Sequence, residues 1–225
     1  MSLESLTQAG LVLWGHPISW IEIAGNLFGM GSAVGGMRRR VWAWPVGIIG
    51  NVLLFILFLG TGPQHAPLLG QVGRQVMFAA VSVYGWVRWS SSRGAGSPGV
   101  VPRMAGGRVR VILALLAVLG VVVLTPTFRA LGSYEPVWAD AWIFTGSVLA
   151  TYAMARGWVE FWLIWIAVDA VGVPTLLHSG YYPSATLYLL YGGFVIWGFV
   201  VWLKVSRAES VPTPAAAVAG VEAGR

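Results

Sequence analysis

The chain alternates long apolar stretches with short polar ones seven times over, and that alternation leaves very few folds open. The apolar runs lie near Ile18–Gly36, Trp42–Leu59, Leu68–Trp89, Arg110–Phe128, Trp138–Met154, Trp158–Leu177 and Tyr181–Leu203. Each is close to the ~20 residues a helix needs to cross the hydrocarbon core of a bilayer. None shows the period-two alternation of a barrel strand. A backbone in lipid must satisfy its own hydrogen bonds, so only helices or closed barrels can span, and continuous runs select helices. Only 10% of the 225 residues are charged and the mean hydropathy is +0.74, whereas a soluble domain carries about 25% charged residues. The expected fold class is an all-α integral membrane protein with seven transmembrane helices.

Trp and Tyr mark many of the run ends, as interfacial anchors do. Ser90–Gly107 is rich in Ser, Gly, Pro and Arg and reads as a polar loop, and Ser210–Arg225 reads as an unpatterned tail. Glu4, with no cluster of Lys or Arg, precedes the first run, so a cleaved signal peptide is not expected. The formal charge of +6 does not form a stripe on a soluble face, which argues against a nucleic-acid partner. Instead the basic residues sort by side. Arg38, Arg39, Arg40, Arg88, Arg93, Arg103, Arg108, Arg110, Arg156, Lys204, Arg207 and Arg225 fall on one side, while the other has Arg129 and, slightly inside a span, Arg74. The positive-inside rule then puts the C-terminus in the cytoplasm and the N-terminus outside.

An internal repeat organises the spans further. At a shift of 118 positions, Trp20 meets Trp138, Glu22 meets Asp140, Arg38 meets Arg156, Trp44 meets Trp162, Ile48 meets Ile166, and Asn51 meets Asp169. After a small change of register, Tyr84-Gly85-Trp86 and Trp89 meet Trp197-Gly198-Phe199 and Trp202. The fourth span has no counterpart. The expected plan is an outside segment 1–17, a three-helix repeat 18–89, a cytoplasmic loop 90–109, a linker helix 110–128, a second three-helix repeat 138–203 and a cytoplasmic tail 204–225. One extra span between the copies makes them parallel repeats, an arrangement found in the SWEET transporters. Duplication without transport, as in a receptor or scaffold, is the competing reading. It does not explain why polar residues recur inside the spans.

Those polar residues define the candidate site. Trp44, Gly47, Ile48 and Asn51 share one helical face, and Trp162, Trp165, Ile166 and Asp169 share the matching face of the sixth span. Indole above an amide or a carboxylate suits a flat ring bearing hydroxyl or amide groups. Asn51 and Asp169 could equally tie helices together, and the two tryptophans could simply pack. Gln71 and Gln75 share a face of span 3, and Tyr188 and Tyr191 a face of span 7. Gln75 has donors and acceptors enough to read a ring amide or a ribose hydroxyl. Gly29, Gly31, Gly35 and Gly36 read as close-packing positions, and Glu160 as an interfacial ion pair with Arg156.

No catalytic constellation emerges. There is no cysteine; His16, His65 and His178 are isolated, without metal-ligand spacing; and no phosphate-binding loop is present. Neither a cofactor nor a metal is expected, and an enzyme reading is weak.

Read in order, Trp44-Pro45-Val46-Gly47-Ile48-Ile49-Gly50-Asn51-Val52-Leu53-Leu54-Phe55, Gln75 and Tyr84-Gly85-Trp86, then Glu160-Phe161-Trp162, Trp165 and Asp169, resemble the PnuC-type vitamin transporters. The likeness runs from about Trp20 to Trp202. It implies a 3+1+3, SWEET-like fold and facilitated diffusion of a vitamin that a cytoplasmic kinase then traps. It also implies a trimer, as some members form. Nicotinamide riboside members usually carry Asn where this chain has Phe161, and often where it has Asp169. Trp138-Ala139-Asp140-Ala141-Trp142-Ile143-Phe144, Ala153-Met154-Ala155-Arg156-Gly157 and Val168-Asp169-Ala170-Val171-Gly172-Val173-Pro174 most resemble the RibM (PnuX) riboflavin branch. The resemblance therefore implies riboflavin as substrate and nicotinamide riboside as the alternative. Substrate contacts would fall on Trp44, Asn51, Gln75, Trp162, Trp165, Asp169, Tyr188 and Tyr191.

Overall fold

The computed structural model describes residues 10–13, 16–59, 69–91, 99–132, 136–178 and 182–209. They form seven helices: α1 (Trp20–Met37), α2 (Ala43–Leu59), α3 (Leu69–Ser91), α4 (Gly107–Ala130), α5 (Val137–Ala155), α6 (Glu160–His178) and α7 (Tyr182–Glu209). An antiparallel hairpin of β1 (Gly10–Leu13) and β2 (His16–Ser19) precedes them. The hairpin lies ahead of the first span and leaves the seven-helix, all-α membrane architecture as expected; so short an apolar run carries no usable period by which to foresee it. Ser19 ends β2 and caps α1. Its hydroxyl accepts from the Glu22 N–H at 3.2 Å, a side-chain N-cap.

Helix limits fall within a turn of the apolar runs, with one larger difference. α7 continues past Leu203 to Glu209, so what reads as the start of a tail is helix. Its last turn is tied down by an Arg39–Glu209 ion pair at 3.6 Å.

α2 packs between α1 and α3, and α6 between α5 and α7. α3 lies directly against α5, α7 meets α1 more sparingly, and α4 packs on α5. Gly25 and Gly50 bring the backbones of α1 and α2 close together; a side chain on Gly50 would stand 2.9 Å from the Gly25 carbonyl. Of the glycines expected to pack closely, Gly35 meets Trp42 and Ala43, and Gly36 meets Met154. Gly29 and Gly31 have room for a methyl group.

The same local bonds recur at the 118-residue spacing. Arg38, Arg39 and Arg40 donate to Val34, Gly36 and Gly35; Arg156, Gly157 and Trp158 donate to Tyr152, Met154 and Ala153. Each set is a left-handed helix end, with φ of 57° at Arg39 and 74° at Gly157. The Trp202 indole donates to Met37 O at 3.0 Å and the Trp89 indole to Ala155 O at 3.2 Å. Each group of three helices thus reaches across to end the first helix of the other.

Residues 99–106 run across this basic end as a strap. Gly99 N–H donates to Arg39 O, Arg103 N–H to Gly157 O, and Val159 N–H to Arg103 O. Glu160 is buried beneath the strap. It accepts from Ala105 N–H through both oxygens, at 3.0 and 2.9 Å, and from Arg110 Nε at 2.8 Å. Glu160 is therefore the anchor of the strap and pairs with Arg110, where the sequence suggested Arg156. The Arg156 guanidinium instead sits over the Trp158 ring, 5.3 Å from its centroid. A hydrogen bond with Tyr84 pushes its pKa further above the ordinary arginine value.

Candidate functional site

A cavity of about 330 Å³ opens between the two groups of three helices, lined by every helix except α4. Of the eight residues singled out from the sequence, Trp44, Asn51, Trp162, Trp165, Asp169, Tyr188 and Tyr191 line it. Gln75 does not; it is buried on α3, and its carbonyl oxygen has no partner among the described residues. The side chain of Gln71 lies outside the described set.

Helix geometry sets the depth of each group. α2 and α6 both start at the basic end, so Trp44 and Trp162 stand near that end. Asn51 and Asp169, seven residues on, lie about 10 Å deeper along the helix axes. The indoles are held edge-on against bare backbone: a side-chain carbon on Gly85 would collide with the Trp44 ring, and one on Gly198 with the Trp162 ring. Glycine at these two positions of α3 and α7 is what lets the edge of each indole press against the next helix.

Below the indoles an aromatic layer separates the cavity from the basic end. Trp89 and Trp202 have no exposed surface and their centroids are 6.4 Å apart. Trp44 meets Trp89 edge-on at 5.1 Å, while Phe161 contacts Trp162 at 4.2 Å and Trp202 at 4.9 Å. Higher up, Phe78 of α3 stacks on Trp165 of α6 at 6.5 Å, and Tyr191 reaches from α7 to Asn26 O at 3.5 Å. Asp169 points toward α7, its Oδ2 near Gly192.

Three buried polar atoms on this lining have no hydrogen-bond partner among the described residues: Trp44 Nε1, Trp162 Nε1 and Asp169 Oδ2. Buried polar groups are rarely left unpaired, and each costs about 1–3 kcal/mol when it is. Two donors and one carboxylate acceptor, set among aromatic faces, have the chemistry to pair with a flat ligand bearing both acceptors and donors.

Sequence reasoning missed several liners. Phe161, Phe78 and Phe194 add aromatic wall, and Ser32, Ser82 and Thr151 add hydroxyls. Ser32 and Thr151 spend theirs on Ala43 O and Ser147 O, so they contribute shape more than recognition. The available signal was weak: hydroxyls inside spans usually bond their own helix. Also unforeseen was a buried ion pair beyond the cavity, Arg74 of α3 to Asp140 of α5 at 2.8 Å. It joins the two groups of helices.

Seven apolar helices, with two groups of three about a central, partly polar, aromatic cavity, form the bundle of a multi-pass membrane protein. Residues 19–204 match the family model described as nicotinamide mononucleotide transporter, and the chain belongs to that family. It is 38% identical over 210 residues to the riboflavin/roseoflavin transporter RibM of Streptomyces davaonensis, covering 92% of this chain and 95% of that one. It is 24% identical to the nicotinamide riboside transporter PnuC of Escherichia coli, over 86% and 89% of the two chains. Among solved structures it resembles the crystal structure of the vitamin B3 transporter PnuC with a TM-score of 0.68 and 18% identity, covering 85% of this chain and 83% of that one. That likeness concerns the fold.

Proposed function

We propose that the protein takes up riboflavin by facilitated diffusion, the vitamin being trapped afterwards by phosphorylation in the cell. The observation that carries this reading is the set of three orphaned polar atoms within an aromatic cavity. Riboflavin offers a three-ring plate for the aromatic walls, carbonyl and ring-nitrogen acceptors for the two indole N–H groups, and a ring N–H and ribityl hydroxyls for Asp169. The similarity to a riboflavin/roseoflavin transporter over nearly the whole chain supports the same choice. Nicotinamide riboside is the second reading, favoured by one observation: an unpartnered Asp169 oxygen welcomes a cation.

In this account α1–α3 and α5–α7 are parallel repeats about an axis along the membrane normal, supported by the bonds that recur at a spacing of 118 residues. The basic end, with the strap and the C-terminus, faces the cytoplasm by the positive-inside rule. A C-terminal reporter active only in the cytoplasm is then active. The function is tested by expressing the gene in a riboflavin auxotroph that lacks its own uptake. Growth on low riboflavin that is lost with Trp162→Ala at equal protein level supports the proposal; absence of growth with the intact protein in the membrane contradicts it.

A further inference from the structure

The strap over the basic end is held unequally by the two groups of helices. Beside α5 and α6, Arg103 N–H donates to Gly157 O at 2.9 Å and Val159 N–H to Arg103 O at 3.0 Å. Ala105 N–H donates to both oxygens of Glu160, Pro102 is fully buried, and Val100 lies against Gly157. Toward α1–α3 the strap makes one hydrogen bond among the described residues, from Gly99 N–H to Arg39 O at 3.0 Å.

The two carbonyls that receive the strap, Arg39 O and Gly157 O, stand at the same place in the 118-residue repeat. Both belong to left-handed helix ends, with φ of 57° and 74°. Glycine adopts that conformation freely, whereas a residue with a Cβ does so rarely. Arg39 is the sole non-glycine residue with positive φ among those described. One mooring of the strap is therefore relaxed and the other strained. Such strain persists only where surrounding contacts hold it, and it gathers at elements that switch. From outside its own helix end, Arg39 is held by the strap and by Glu209 of α7, 3.6 Å from its guanidinium.

Gly99 also sits on the way out of the cavity. A Cβ there would stand 3.1 Å from the Trp89 ring and 2.7 Å from a γ-carbon of Val41. Trp89 in turn meets Trp44, which lines the cavity. The weakly moored edge of the strap thus rests on the aromatic layer that divides the cavity from the basic end.

We propose that the strap is the latch of this exit. In this scheme, which rests on the transport reading but not on which vitamin is carried, Gly99 lifts from Arg39 and Trp89 so that the aromatic layer parts. Arg103 and Ala105 stay seated on Gly157 and Glu160 throughout.

The chain has no cysteine, so an introduced pair can join only to each other. Val41→Cys with Gly99→Cys brings two Cβ atoms within the ~3.5–4.5 Å that a disulfide bridges, tying the strap to the turn between α1 and α2. Arg103→Cys with Trp158→Cys joins the two bridged residues at the other mooring. Full-length protein in sealed vesicles is assayed for riboflavin exchange before and after oxidation. The 41–99 link slows exchange about tenfold or more and a thiol reductant restores it, while riboflavin still quenches tryptophan fluorescence with unchanged affinity. The 103–158 link alters neither. Exchange that survives the 41–99 link, or stops with the 103–158 link, overturns the latch. So does loss of riboflavin binding on forming the 41–99 link, which would make the strap purely structural. Failure of the unmodified chain to exchange riboflavin tells against the transport reading instead. In that event, or should a cysteine pair fail to fold, amide-resolved hydrogen exchange on the unmodified protein decides. Gly99 exchanges about tenfold or more faster than Arg103 and Val159, and equal protection of the three overturns the latch.

Discussion

Replacing Gly198 by alanine places a methyl group 2.5 Å from Cζ2 and 2.6 Å from Cζ3 of Trp162. Ordinary carbon contacts lie near 3.5–4.0 Å, so the indole must move by about 1 Å. It is boxed by Phe161 and Trp202 on the side of the basic end and by Phe194 on α7. The free direction is into the cavity. Overpacking of this kind costs about 1–3 kcal/mol, and the gain from replacing glycine in a helix returns only about 0.5–1 kcal/mol. A net loss of up to roughly 2.5 kcal/mol in stability is expected. The displaced ring also forfeits its aromatic contact with the ligand, worth about 0.5–1.5 kcal/mol, which amounts to a two- to tenfold weaker affinity. Gly193→Ala is the control: it lies on the same helix with nothing within 4 Å of the added carbon, so affinity is unchanged and stability equal or slightly higher. Quenching of tryptophan fluorescence by riboflavin reads affinity, and thermal denaturation in detergent reads stability. Should Gly198→Ala behave like Gly193→Ala in both, the indole is not seated against α7 and the site is drawn on the wrong face.

Three further outcomes follow from the packing. Trp162→Ala, at a residue only 3% exposed, weakens riboflavin binding about tenfold, whereas Trp138→Ala, at a residue 51% exposed, leaves it unchanged; equal effects at equal protein levels would contradict the assignment. Asp140→Leu alone leaves the Arg74 charge without its carboxylate and lowers stability by about 3–5 kcal/mol, while adding Arg74→Met recovers part of it; additive losses in thermal denaturation would count against a coupled pair. Glu160→Ala removes the acceptor of the strap's Ala105 N–H and the partner of Arg110 at the start of α4, so hydrogen exchange at residues 99–106 accelerates more than tenfold, consistent with about 1.5–3 kcal/mol for bonds to a charged group. Unchanged protection there would mean that Glu160 does not anchor the strap.

Seven helices were legible in the sequence because each apolar run is about as long as one spanning helix, and the shared faces of Trp44 with Asn51 and of Trp162 with Asp169 because they follow the helical period. Contacts between the halves were not. Nothing in the spacing of Arg74 and Asp140 announces that they meet, since distance along the chain is silent about which helices become neighbours. Glu160 shows the same limit. Its nearest arginine in sequence, Arg156, is four residues away, yet a carboxylate under the strap can gather a backbone N–H and Arg110 together, which satisfies more of its acceptor sites. Gln75 was chosen for its chemistry and its place in the family motif, and neither says which face of α3 meets the cavity.

Counterflow and net uptake in proteoliposomes test the central claim most directly. Purified protein is reconstituted into sealed vesicles with no ion or proton gradient, and labelled riboflavin is supplied outside. The account predicts that riboflavin enters until inside and outside concentrations are equal and that preloaded riboflavin accelerates exchange. Unlabelled riboflavin competes, whereas a large excess of nicotinamide riboside does not, and an imposed proton gradient leaves the final level unchanged. Entry that requires a proton gradient would contradict facilitated diffusion, and efficient competition by nicotinamide riboside would move the assignment to that vitamin.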